Sequence, residues 1–137
     1  MYREPGVPVR RVTLSTAQAR ETLGHWLEVE ALIDEMKAFG LQEGESIKLV
    51  LNELVYSEFD RSNLRQLRLV ARRLTLELPL KFADSVICLI WCQQARLLDL
   101  EGCADYITKI YISGIAGSAG GKQLKARLFN MIAPNLP

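Results

Sequence analysis

Arg61-Ser62-Asn63-Leu64-Arg65-Gln66-Leu67-Arg68-Leu69-Val70-Ala71-Arg72-Arg73-Leu74 is the stretch on which the fold class of this chain turns. Leu64, Leu67, Val70, Ala71 and Leu74 recur at intervals of three and four, which places them on one face of an α-helix and on no single face of a strand. Asp60 or Ser62 supplies an N-terminal cap. Beyond Leu74, the leucines at 74, 76, 78 and 80 alternate with Thr75, Glu77 and Pro79, a strand-like period of two. Pro79 disfavours helical geometry at Leu78. The helix is therefore expected to end there and run into an extended link.

The same period extends in both directions. Downstream, residues 81–98 are apolar nearly all round and predict the central helix of a bundle. The apolar run from Phe82 to Leu100 is interrupted by Asp84, Gln93, Gln94, Arg96 and Asp99, whereas a membrane span needs roughly 20 mostly apolar residues. After a turn at Asp99 to Gly102, a fifth helix carries Cys103, Tyr106, Ile107 and Ile110, and the glycine-rich residues 114–121 end it. A short sixth follows with Leu124, Leu128, Phe129 and Ile132 on one side.

Upstream, Ser15 with Gln18 has the capping-box spacing. One long helix over 16–39 follows, with Leu23, Trp26, Leu27, Leu32, Ile33, Met36 and Phe39 on its apolar face and Gly40 as its stop. Ser46 caps a second helix striped by Ile47, Val50, Leu51, Leu54 and Val55. The expectation is an all-α fold: a compact bundle of about six helices spanning 15–137, preceded by a short, extended, basic arm at 1–14.

The chain has 137 residues, 49% apolar and 24% charged, which is the composition of one globular domain. Three cysteines, an odd number with no secretory leader in the first eight residues, point to reduced thiols and a cytoplasmic location.

The net charge of +1 hides a strong segregation. Between Glu21 and Asp60 ten acids face Lys37 and Lys48, a net of −8. Between Arg61 and Lys81 five arginines and a lysine face Glu77, a net of +5. Arg61, Arg65, Arg68 and Arg72, spaced four, three and four apart, form one stripe on the third helix. Stacked like charges repel by about 0.2–0.5 kcal/mol per neighbour, and no acid within that helix relieves them. The counter-charge must come from elsewhere. Three sources are open: the acidic helices of the same bundle, the acidic face of another protein or another copy, or a nucleic-acid backbone. Arg10 and Arg11 on the arm, with Lys122 and Lys125 near the C-terminus, are positioned to join a basic surface. Against nucleic acid stand the absence of stacking aromatics on this helix and the acidic flank. The order of the second and third helices permits a helix-turn-helix, but the link Ser57-Glu58-Phe59-Asp60 is acidic and has no glycine.

Other motifs lead nowhere sharper. Ala116-Gly117-Ser118-Ala119-Gly120-Gly121-Lys122 approaches a phosphate-binding loop, but Gln123 stands where the hydroxyl that holds magnesium belongs. Cys88, Cys92, Cys103 and the lone His25 could in principle close a zinc site. The first two lie inside an apolar helix, so core packing is the expected role. Trp26 and Trp91 are expected in the core, and Tyr106 and Tyr111 at a contact surface. No catalytic residue, metal or cofactor is expected. The functional expectation is a non-catalytic adaptor, regulatory or assembly subunit acting through protein–protein contacts, by the arginine-lined third helix and an acidic surface on the first and second, with homo-oligomerisation as one form and no membrane. The alternative is a small nucleic-acid-binding subunit using the same arginines.

Overall fold

The computed structural model describes residues 14–40, 44–57, 59–78, 80–96 and 99–114. Within them the chain is all-α, with six helices: α1 (Thr16–Leu23), α2 (Trp26–Ala38), α3 (Glu45–Ser57), α4 (Arg61–Glu77), α5 (Phe82–Gln94) and α6 (Leu100–Gly114). Among the described residues no helix is long and apolar enough to cross a membrane. The sixth helix expected around Leu124–Ile132 and the basic arm both lie outside the described residues.

The six helices of the described residues divide the chain differently from the expectation. The single helix anticipated over 16–39 is two helices, because Gly24 takes a left-handed conformation (φ 72°) and caps α1 through its N–H to the Arg20 carbonyl. That break shifts the phase of everything after it. The core face of α2 is Val29, Leu32, Ile33 and Met36, whereas Trp26, Leu27 and Phe39 are exposed. Leu27 stands two residues from Val29, so it points roughly 200° away from it around the helix. The expectation that Trp26 belongs to the core is thereby corrected. Arg20 and Glu30 pair at 2.6 Å across the break and fasten α1 to α2.

Among the described residues, three of the helix starts are capped by a side chain, and two of those caps were expected. Ser15 and Gln18 form the expected capping box on α1, and the Asp60 carboxylate accepts the Asn63 N–H at 2.8 Å to open α4. Helix α3 begins at Glu45, one residue before Ser46, with the Lys48 N–H on the Gly44 carbonyl at 2.9 Å. Asp99 caps α6 by accepting the Gly102 N–H at 2.7 Å, so residues 100–102 form a first helical turn rather than the expected loop. Leu78 is extended, as Pro79 requires (φ −126°, ψ 148°). Helix α5 stops before Leu98 because Arg96 adopts a left-handed conformation (φ 58°) with its N–H on the Gln93 carbonyl.

The core is organised around α5, buried at Phe82, Ala83 and Ser85 through Cys92. Helices α3, α4 and α6 pack on it, α1 lies on α3, and α2 lies on α4. Helix α3 is enclosed on more sides than its apolar stripe suggests. Asn52 and Glu53 are both buried: the Asn52 side-chain carbonyl accepts the Leu14 N–H at 3.1 Å, and the Glu53 carboxylate accepts the Trp91 indole N–H. The Tyr56 carbonyl accepts Gln94 Nε2 at 2.9 Å nearby, so a polar line stitches α3 to α5. Such buried groups need partners, because desolvation without one costs about 1–3 kcal/mol.

Two backbone positions give reciprocal predictions. A Cβ at Gly24 would meet nothing within 4 Å, so Gly24→Ala tests conformation alone and should cost about 1–2 kcal/mol. Arg96→Gly relieves the corresponding strain and should raise stability by up to about 1 kcal/mol. Urea unfolding followed by circular dichroism measures both. A neutral Gly24→Ala would show that the α1–α2 break does not depend on the glycine.

Candidate functional site

Helix α4 buries Leu64, Leu67, Val70, Ala71 and Leu74 and turns its arginine stripe outward beside α2. Glu28 and Glu35 of α2, seven residues apart and so two turns along one face, meet that stripe. Glu28 holds Arg65 at 3.1 Å. Glu35 holds Arg72 at 2.7 Å and Arg68 at 3.7 Å. The first of the three sources of counter-charge is therefore present for these three arginines. Arg61 is exposed and has no ion pair among the described residues. Four guanidinium groups thus face two carboxylates, and the stripe keeps a cationic surplus.

The geometry of the pairs is layered. The Glu28 and Glu35 side chains are only 17% and 14% exposed, whereas those of Arg65 and Arg72 are 59% and 56% exposed. Each carboxylate sits beneath its arginine and grips Nε. A guanidinium carries five N–H donors, so one gripped through Nε still has its terminal amino groups to offer. Arg73, outside the stripe, turns the other way. It hydrogen-bonds Glu101 of α6 and lies 3.8 Å from Glu77, and the Glu101 contact raises its pKa above the ordinary arginine value.

Among the described residues, the acids of α1 and α2 are mostly drawn into pairs within the bundle. Glu28 and Glu35 lie against α4 and Glu30 against Arg20, which leaves Glu21 and Asp34 as the exposed acids of α1 and α2. The charge separated along the chain is brought together in the fold. Arg10, Arg11, Lys122 and Lys125 lie outside the described residues, as does the glycine-rich segment with Lys122.

A second feature of the same helix escaped the sequence reading. Ser62, Arg65, Leu69, Arg72 and Leu76 are all exposed, and their spacing of three, four, three and four is the a/d repeat of a coiled-coil seam. Leu69 is 55% and Leu76 86% exposed. The signal was legible in the leucines themselves, seven apart and off the core stripe.

The cysteines sit in the core. Cys88, Cys92 and Cys103 form no disulfide and are fully buried. Hydrogen bonding to the Cys103 thiol, then burial, raises the pKa of Cys92, which keeps it in the unreactive thiol form. His25 lies apart in sequence at the α1–α2 junction. Among the described residues, no three His, Cys, Asp or Glu side chains converge as a ligand set. Tyr111, expected at a contact surface, is buried in α6, and Tyr106 is half-buried. No protein-family model matches the chain, and no curated protein or solved structure is significantly similar to it.

Glu35→Gln removes the one charge shared by Arg68 and Arg72. It should cost about 1 kcal/mol at low ionic strength and less in high salt, where such pairs are screened. Chemical denaturation at two salt concentrations reads this directly, and equal stability at low salt would show the seam to be electrostatically idle. The three thiols should resist alkylation by iodoacetamide in the native protein and react promptly in denaturant. Fast native labelling of Cys92, detected by mass spectrometry, would contradict its burial.

Proposed function

We propose that this chain is a non-catalytic cytoplasmic adaptor, regulatory or assembly subunit that docks another protein on the outer face of α4. One observation carries the reading: guanidinium groups and exposed leucines alternate on a single helix face. Arginine is enriched at protein interfaces, where its planar fork holds carboxylates and its stem covers apolar surface. Leucines flanked by arginines suit a partner that offers both apolar and acidic groups.

The same observation weighs against the nucleic-acid alternative. A phosphate backbone rewards cations and offers nothing to Leu69 or Leu76. The carboxylates of Glu28 and Glu35, lying just beneath Arg65 and Arg72, would also meet the phosphates and weaken the attraction.

Leu76→Glu tests the proposal cleanly, because a side chain 86% exposed supports little of the fold. Affinity purification from the native cell, with and without nuclease, should yield a nuclease-resistant protein partner that the variant loses while its helicity is unchanged. Capture that disappears with nuclease would refute the reading, as would a partner retained in full by both Leu76→Glu and the double variant Arg65→Glu/Arg68→Glu.

A further inference from the structure

We propose that the outer seam of α4 receives one acidic amphipathic helix of a different protein, packed lengthwise in coiled-coil register. This rests on the reading of α4 as a protein-docking face and specifies what occupies it.

The register comes from the seam itself. Leu69 and Leu76 stand one heptad apart, and Arg65 and Arg72 stand one heptad apart between and beside them, all four exposed. A straight helix drifts only about 20° per heptad, so over two heptads the seam stays on one side of α4. From Ser62 to Leu76 it runs about 21 Å, four turns, which suits a helical partner better than a compact loop. Flexible surface leucines scattered singly would need no explanation. Two of them in register with two arginines, on a helix whose core face is already satisfied, describe a second packing face.

The charge of the occupant follows from the arginines. Glu28 and Glu35 hold Arg65 and Arg72 by Nε from below, which fixes the direction of each guanidinium and presents its outer edge to a second carboxylate. Arg61, one turn before Arg65, adds a cation without an ion pair among the described residues. A partner with glutamate or aspartate at the positions opposite Arg65 and Arg72, and aliphatic residues opposite Leu69 and Leu76, satisfies every group on the seam.

A second copy of this chain does not. Parallel copies would set Arg65 and Arg72 against the same arginines. Antiparallel copies would set each arginine against a leucine and bury cations without partners, which is costly. Nor do Glu28, Glu30 and Glu35 of α2 offer a copy an acidic face, since each is already engaged within the chain.

The probe is a fluorescein-labelled synthetic peptide of three heptads with leucine at each a position, glutamate at each d position, and alanine and glutamine elsewhere. Three labelled controls accompany it: lysine in place of glutamate, alanine in place of leucine, and a single-stranded oligodeoxynucleotide. Fluorescence anisotropy with the full chain should show saturable binding of the leucine–glutamate peptide. Binding should fall at least about tenfold with either control peptide, with Leu69→Ala/Leu76→Ala, and with Arg65→Gln/Arg72→Gln, each variant first shown to retain its helicity. No binding of the leucine–glutamate peptide overturns the inference. Equal binding of the alanine peptide also overturns it, by reducing the face to charge alone, while leaving the protein-docking reading standing. Oligonucleotide binding that is lost in Arg65→Gln/Arg72→Gln overturns both. A chain dimer that Leu76→Glu dissociates would replace the foreign helix with a second copy.

Discussion

Helix α5 sets the constraint that the rest of the bundle obeys. Its side chains are apolar on nearly every side, so no orientation leaves it a face for water, and the hydrophobic effect is satisfied only when other helices surround it. Helices α3, α4 and α6 do this. Each of them then has one face committed to α5 and must find a use for the others. Helix α3 meets α1 on a second side, where Asn52 takes the Leu14 N–H, and carries a polar line to α5 from Glu53 to Trp91 and from Tyr56 to Gln94. Helix α4 meets α2 and α6 on its flanks and keeps a single outward strip.

That strip explains why the charge of the chain is so unevenly written. Helices α2 and α4 are joined largely through ion pairs along their outer edges. Glu28 and Glu35 come from one side, Arg65, Arg68 and Arg72 from the other, and the apolar contact lies beneath. The carboxylates are more deeply placed than the arginines they hold. Partly buried pairs of this kind are screened less than pairs in open solvent, and they orient the guanidinium groups while leaving the strip positively charged. The seam between two helices and the outward surface are thus made of the same side chains.

Much of this architecture could be read from the residues. The capping box at Ser15, the Asp60 cap, the core stripe of α4, the extension forced at Leu78 and the burial of the α5 cysteines all follow from local spacing and residue type. What local spacing does not disclose is left-handed backbone and long-range contact. Trp26 and Leu27 continue a three-and-four pattern across Gly24, so periodicity alone does not disclose a glycine that takes a left-handed turn. The early end of α5 depends on Arg96 accepting a conformation that its own type does not advertise. Asn52 and Glu53 are buried against partners 38 residues away, which no window of sequence contains. At the candidate site the arginine stripe was plain. Which of three counter-charges it meets depends on α2 lying beside α4, a tertiary fact, and Leu69 and Leu76 belong to neither the core stripe nor the row of arginines that local spacing picks out.

The two tryptophans have ended up in opposite surroundings, and that has a practical use. Trp91 is enclosed with its indole N–H on the Glu53 carboxylate, while Trp26 is half open to water at the start of α2. The intrinsic fluorescence of the protein is therefore a sum of two separable emitters, a red-shifted one that an aqueous quencher reaches and a shielded one that it does not. With Trp26 quenched, the remaining light reports the contact between α3 and α5 alone, and the molecule carries its own gauge of whether its interior is intact.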